Sequence, residues 1–224
     1  MTTSTTYTEK RNTHRSPSSS VGKFWDRVAD KYSRQPIANE DAYRHKLART
    51  QDYLTEDSLV LEIGCGTGST ALKHAPLVKE IIATDVSGRM IEIAQDRADA
   101  SGVGNVRFLQ AVASKALASH ETYDAVLALN LLHLLPDWRA VVSKARGALK
   151  PGGVFVTSTL CLSEQFAWLR YVAPIGRRLG LMPELVHFRR SELKSALRLD
   201  GFEIEYEWQA DARNGLFLIA RKSQ

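Results

Sequence analysis

The short apolar run Leu59-Val60-Leu61-Glu62-Ile63 stops at three glycines spaced two apart, Gly64, Gly66 and Gly68. Glycine accepts left-handed backbone that other residues resist, so the chain here can leave a strand, turn sharply and present bare backbone to a ligand. The segments that follow narrow the architecture. Glu80 to Asp85, Asn105 to Gln110, Tyr123 to Leu129 and Val154 to Ser158 read as further short strands. Helical stretches separate them: Ser69 to Ala75, a segment to about Ala100 that Ser87 can cap, and one to Leu149 that Asp137 can cap. Alternating strand and helix predict an α/β fold, a parallel sheet covered on both faces. Ligands of such sheets bind beyond the carboxyl ends of the strands, where strand order reverses.

The ends of the chain depart from this rhythm. Residues 1–20 are dominated by Ser and Thr and are expected to form a disordered tail. A transit peptide is the alternative there, favoured by Arg11 and Arg15 and opposed by Glu9. Phe24, Trp25, Val28, Ala29 and Tyr32 recur at helical spacing, Pro36 ends or kinks that helix, and Tyr43, Leu47 and Tyr53 belong to a second. Residues 21–57 therefore read as a helical cap, and 58–224 as the main domain. Within it, 161–190 reads as a lid that is apolar and basic together: Phe166, Trp168, Leu169, Tyr171 and Val172, then Arg177, Arg178, Arg189 and Arg190. A helix from Ser191 to Leu199 leads to strands Phe202 to Trp208 and Leu216 to Ala220, whose short connection predicts antiparallel pairing.

Composition excludes several classes. Hydrophobic residues are 44% and charged residues 25%, the balance of a water-soluble domain. No apolar run reaches the roughly 18 residues of a membrane span, and no secretory core is visible, so a cytoplasmic location is expected. Two cysteines, Cys65 and Cys161, form neither a disulfide framework nor a four-cysteine zinc site, and the six histidines are scattered, so no metal is expected. The net charge of +5 reads first as a solvated surface, with nucleic acid or anionic lipid as alternatives.

Two acids make the glycine loop more specific. Glu62, two residues ahead of Gly64, would repel a pyrophosphate and suits a cationic ligand, which argues against a nicotinamide-dependent oxidoreductase. Asp85, at the end of the second strand, can accept two hydrogen bonds from a ribose diol, or it can cap the helix that begins near Ser87.

At this point the chain resembles a family. Val60-Leu61-Glu62-Ile63-Gly64-Cys65-Gly66-Thr67-Gly68 is similar to the first motif of class I methyltransferases, and Ala83-Thr84-Asp85-Val86-Ser87 to the second. Tyr123-Asp124-Ala125-Val126-Leu127 through Leu135 resembles the fourth-strand motif. Leu149-Lys150-Pro151-Gly152-Gly153 resembles the turn before the fifth strand, and Asp200-Gly201-Phe202 the entry to the sixth. The resemblance covers residues 58–222 and is nearest to the small-molecule group that includes quinone and phospholipid methyltransferases. It implies a Rossmann-like, doubly wound, seven-stranded sheet, mostly parallel with an antiparallel last strand. It also implies S-adenosylmethionine as cofactor and S-adenosylhomocysteine as product. Glu62, Gly64, Cys65, Gly66, Thr67 and Gly68 would lie near the amino acid part of the cofactor, and Asp85 would hold the ribose. Val86 and Met90 would flank the adenine, and Asn130, after the fourth strand, completes the expected set. The family often carries an acid for the adenine amino group after the third strand. Here the sequence reads Leu109-Gln110-Ala111-Val112-Ala113-Ser114, so backbone near Val112 and Ala113, or the Ser114 hydroxyl, would substitute.

The chemistry needs alignment and exclusion of water more than it needs a base. His133, Tyr32 and Tyr43 are the candidate catalytic residues; packing of the cap helices is the plain alternative for the two tyrosines. The expected acceptor is a small molecule, apolar or amphiphilic, with peripheral membrane contact and a monomer or homodimer foreseen. The chain lacks both the Asn- or Asp-Pro-Pro-aromatic tetrad and a Pro-Cys nucleophile, and nucleic acid is not an expected partner. An RNA methyltransferase and a non-catalytic cofactor-binding protein are the competing readings.

Overall fold

The computed structural model describes residues 20–211 and 214–223. The tail expected over 1–20 lies outside the described residues, apart from Ser20, which opens the first helix. Two helices come first, α1 (Ser20–Ser33) and α2 (Glu40–Gln51), and they form the expected cap. The helix α1 ends three residues before Pro36, so the proline terminates and does not kink it. Asn39 caps α2 by accepting the Ala42 N–H at 2.9 Å.

The main domain follows with strands β1 (Leu59–Ile63), β2 (Glu80–Asp85), β3 (Val106–Gln110), β4 (Tyr123–Leu129), β5 (Leu149–Thr159), β6 (Phe202–Trp208) and β7 (Leu216–Lys222). Helices α3 (Ser69–His74), α4 (Gly88–Ser101), α5 (Ala113–Ala116) and α6 (Trp138–Ala148) lie between the first five strands. Helices α7 (Leu162–Gln165), α8 (Leu169–Arg178) and α9 (Arg190–Leu199) follow β5. The sheet order is β3-β2-β1-β4-β5-β7-β6, with β7 antiparallel to both of its neighbours and the remaining pairs parallel. This is the Rossmann-like mixed sheet that the strand pattern predicts.

The central strands are buried on both faces, as a parallel sheet under helices requires. Side chains alternate across it. Leu61, Ile63, Val126, Phe155 and Leu218 face a core closed by α6 and α9, through Val141, Val142, Leu193 and Leu197. Val60, Ile81, Ala83, Val156 and Ile219 face the opposite core with Ala71, Ala94 and Ala98 from α3 and α4.

Two local expectations are corrected. Asp137 stands at the N-cap of α6, but its side chain makes no capping hydrogen bond. Residues 149–153 do not form a turn ahead of the fifth strand; they belong to β5. Tyr123 pairs with Leu149 and Ala125 with Val154, so the segment between bulges out of the ladder. Leu149 is buried in the α6 core, which draws the strand's start back past the glycines.

Strand order reverses between β1 and β4, and the glycine loop leaves β1 at that point. Gly68 has φ +76°, and a Cβ there would sit 2.8 Å from the Phe108 ring and 2.9 Å from Ala94 Cβ. Gly102 at the end of α4 has nearly the same φ, +67°, with nothing within 4 Å. Gly68→Ala should therefore lower unfolding free energy by about 2–4 kcal/mol, and Gly102→Ala by only ~1–2 kcal/mol. Urea denaturation of the two variants checks this; equal losses would contradict the packing role of Gly68.

Candidate active site

The loop after β1 closes one turn of its own, with the Gly68 N–H donating to Cys65 O at 3.1 Å, and is otherwise held by a carboxylate. Asp85, the last residue of β2, accepts the Gly66 N–H through Oδ2 and the Ser87 N–H through Oδ1, each at 2.9 Å. The Cys65 N–H adds a bond to Thr84 O at 2.9 Å. Helix capping falls to Ser87, whose hydroxyl accepts the Met90 N–H at 3.1 Å. The two Asp85 oxygens carry four lone pairs, and the backbone N–H groups of Ser87, Gly66 and Val86 do not use them all, so acceptor capacity remains for a ligand. Burial pushes its carboxyl above the ordinary value, against the lowering effect of these N–H donors.

Glu62 lies beneath the loop, 2% exposed, and its Oε2 has no hydrogen-bond partner among the described residues. Burial first, then the neighbouring Asp85 charge, raises its carboxyl to about 8, while the Ala71 N–H acts in the opposite sense. A buried acceptor without a donor is costly unless a ligand supplies one. Cys65 is also buried, and burial with both acids pushes its thiol well above the usual range. That suits a small loop residue and not a nucleophile.

A cleft of about 1250 Å³ opens over this floor. Glu62, Gly64, Cys65, Gly66, Thr67, Asp85, Val86, Met90, Val112, Ala113 and Asn130 all border it, and so do Tyr32 and Tyr43. Tyr32 comes from α1 and lies over the loop: a Cβ on Gly66 would be 3.9 Å from its ring. The Tyr43 hydroxyl sits 3.4 Å from Thr70 Oγ1. Desolvation raises both phenols, with Asp85 contributing at Tyr32 and Glu62 at Tyr43. Small-molecule pockets commonly span about 300–1,000 Å³, so this one has room for two ligands together. Where the adenine acid is missing, the Gln110 amide donates to Val86 O at 3.0 Å and ties β3 to the end of β2. Ser114 borders the cleft as well.

Two expected residues stand elsewhere. Gly68 is the N-cap of α3, behind the loop, packed on Phe108. His133 is 7% exposed in a 3₁₀ turn after β4; Thr159 Oγ1 lies 3.1 Å from its backbone N–H and 3.0 Å from its Nδ1. Burial lowers its imidazole to about 4. It borders a second pocket of about 330 Å³ next to the main cleft.

The clamp that seats the cap on the loop was invisible to pattern reading. Arg97 on α4 donates through Nη1 to Thr67 O, Thr67 Oγ1 and Ser69 Oγ at 3.2, 2.7 and 3.0 Å, and through Nη2 to Ser33 O at 2.7 Å. Asp26 of α1 accepts the Ser87 hydroxyl at 2.7 Å and the Arg89 N–H at 3.1 Å. Arg27 reaches the Gly180 carbonyl just beyond α8. One helix of the cap is thus hydrogen-bonded to both ends of the cofactor-side loops and to the lid.

Comparison with known proteins bears on this geometry. Residues 60–153 match a family model described as a methyltransferase domain. Residues 60–153 therefore carry a methyltransferase domain. The uncharacterized methyltransferase YcgJ of Bacillus subtilis is 36% identical over 97 residues, 43% of this chain and 38% of its own length. A ubiquinone biosynthesis O-methyltransferase of Serratia proteamaculans is 33% identical over 132 residues, 58% of this chain and 54% of its own. The methyltransferase domain therefore spans only about two-fifths to one-half of these curated relatives. The YcgJ crystal structure superposes with a TM-score of 0.66 at 20% identity, covering 81% of this chain and 99% of that one. The [4+2]-cyclase SpnF reaches 0.74 at 19% identity, covering 91% and 96%. A cyclase among the fold neighbours of a methyltransferase domain means that architecture alone does not name the reaction.

Proposed function

We propose that the protein transfers a methyl group from S-adenosylmethionine to a small-molecule acceptor in the main cleft. The observation that carries this reading is the buried acidic floor: Glu62 with an unpartnered oxygen, beside Asp85 with acceptor capacity to spare. These residues fit the cofactor. Glu62 would face its cationic amino acid end, Asp85 its ribose hydroxyls, and Val86 and Met90 its adenine, with the loop backbone from Gly64 to Thr67 alongside. The bound cofactor supplies an electrophilic methyl carbon on a sulfonium. The acceptor's lone pair forms the new bond to that carbon as the carbon–sulfur bond breaks, and its electron pair stays on sulfur.

The chain's own part is to align and to exclude water. Tyr32 and Tyr43 close the cleft from the cap and present hydroxyls where an acceptor would enter. An acceptor that ionises in water needs no strong base here. His133, held by Thr159, borders the adjoining pocket, and with its imidazole lowered to about 4 it is a weak base that would orient an acceptor there rather than deprotonate it. Relatives named for O-methylation in ubiquinone biosynthesis make a ring oxygen the first acceptor to test.

The lid supports an amphiphilic acceptor drawn from a membrane surface. Trp168, Tyr171, Val172, Ile175 and Leu179 recur at helical spacing along α8 and are 60, 68, 41, 63 and 66% exposed. Arg170, Arg177 and Arg178 accompany them. An apolar stripe edged with arginine is the pattern of a helix lying in an anionic interface. Among the described residues no helix is long and apolar enough to cross a membrane, so contact would be peripheral.

Turnover of a metabolite extract with methyl-labelled cofactor, read by mass spectrometry, tests the activity; release of S-adenosylhomocysteine with no labelled product would count against it. Asp85→Ala should weaken cofactor binding at least about tenfold by calorimetry, as expected for lost charge-assisted hydrogen bonds. Unchanged affinity would remove Asp85 from the site. On vesicles, the protein should float with anionic and not with zwitterionic lipid, and Trp168→Ser with Ile175→Ser should abolish flotation. Equal flotation of the double variant would move the interface elsewhere.

A further inference from the structure

The second pocket adjoins the main cleft and is built differently. The two share Ile37, Ala38, Tyr43, Thr70, Leu129 and Asn130, so they are one continuous space with a narrow side chamber. One wall of the chamber is a single face of α2, where Tyr43, Lys46, Leu47 and Thr50 follow one another at helical spacing. Ser158 near the end of β5, His133 and His74 stand on the other sides.

Among the described residues Lys46 is the only Lys or Arg on this lining, and no Asp or Glu lines it either. Its ammonium donates to Ser158 Oγ at 2.9 Å. Ser158 is buried, and its hydroxyl is neutral. Among the described residues no carboxylate pairs with the half-buried Lys46, whereas the buried Lys222 has both Glu121 and a carbonyl. Burial lowers the Lys46 ammonium below the ordinary lysine value, as an uncompensated cation requires. An ammonium has three donors, and the structure uses one of them on Ser158.

The histidines do not change the sign of the chamber. Burial alone drops His74 and His133 to about 4, so both are neutral near pH 7. His74 is fully buried, and its Nε2 has no hydrogen-bond partner. Its Nδ1 is 3.5 Å from the Gln51 amide. The chamber thus holds one positive charge, neutral polar groups and no counter-ion.

We infer that this side chamber is an anion subsite: Lys46 binds a carboxylate or phosphate carried by the methyl acceptor, while the acceptor's reacting atom lies in the main cleft. The inference rests on the methyl-transfer reading for what occupies that cleft. It makes the acceptor class narrower, a small molecule bearing an anionic group one short arm from the atom methylated. The 330 Å³ chamber suits a carboxylate on a ring or short chain. Affinity would come from a charge-assisted hydrogen bond in a partly desolvated place, where such bonds are strong. Selectivity would come from the same source, because a neutral analogue leaves the cation without a partner.

Calorimetric titration of the full chain with benzoate, inorganic phosphate and the neutral analogue benzamide tests the subsite, each with and without S-adenosylhomocysteine. At least one of the two anions should bind, at least about tenfold more tightly than benzamide. Which one binds distinguishes a carboxylate from a phosphate source. Lys46→Met should lose the anion by about tenfold or more and Lys46→Arg should retain part of it, while both keep wild-type affinity for S-adenosylhomocysteine. Retained cofactor-product affinity reports that the variants fold. Equal binding of benzoate and benzamide, undiminished anion binding in Lys46→Met, or no anion binding by the wild type would each overturn the inference. Failure of S-adenosylhomocysteine to bind would instead overturn the reading of the main cleft, and the titrations without it would still decide the subsite.

Discussion

Everything at the mouth of the sheet depends on the Asp85 carboxylate bridging the Gly66 and Ser87 N–H groups. The bridge links the loop after β1 to the start of α4, the two segments at the point where strand order reverses. Gly64, Gly66 and Gly68 all take left-handed backbone; Gly64 and Gly68 are packed closely, and Asp85 holds the N–H of the middle one. The consequence is electrostatic. A second acid, Glu62, lies under the same loop with Asp85 close enough to raise its carboxyl. Two acids in a dry floor repel, and a cationic ligand relieves the repulsion.

The cap is the second constraint. Its outer ion pairs, such as Arg44 with Asp41, are exposed and contribute little. The inward bonds are different in kind. Arg97 satisfies a loop carbonyl, two hydroxyls and the last carbonyl of α1 at once. Asp26 accepts from the residue that caps α4 and from the helix's own backbone. A fork of five donors in one plane can serve several acceptors that a lysine cannot. Arg27 of α1 also reaches the Gly180 carbonyl, so one helix is hydrogen-bonded to the residue that caps α4, to Arg97 and to the segment after α8.

The central strands were legible because burial on both faces writes them as nearly unbroken apolar runs, and β6 because its exposed face writes an alternation of apolar residues and glutamates. The bounds of β1, β2, β4 and β6 coincide with those read from residue pattern. The glycine loop was legible for the same reason in reverse, since only glycine meets its torsions cheaply. What pattern could not reach is long-range. Arg97 and Asp26 look like ordinary polar positions on amphipathic helices, and their partners lie 28 to 64 residues away. The glycines at 152 and 153 suggested a turn, but Leu149 is pulled into the core and the strand bulges around them. Asp137 has a capping residue's identity and position without its hydrogen bond. His133 follows β4 as expected, but a turn of 3₁₀ helix sends it to the side chamber, a matter of one dihedral that spacing does not encode.

The central claim is that a protonated, buried Glu62 waits for a cation, and proton release on binding measures it directly. Burial raises its carboxyl to about 8, so near neutrality it holds a proton that the unfolded chain, at 4.5, would not. The fold therefore loses stability as pH rises from 4.5 through about 8. A cationic ligand favours the carboxylate, so binding below that value must expel the proton, and affinity should climb with pH until it levels off. Calorimetry of S-adenosylmethionine in buffers of differing ionisation enthalpy should therefore record proton release near neutral pH, abolished in Glu62→Gln. Binding of full strength with no proton released, and no change in the variant, would contradict the account.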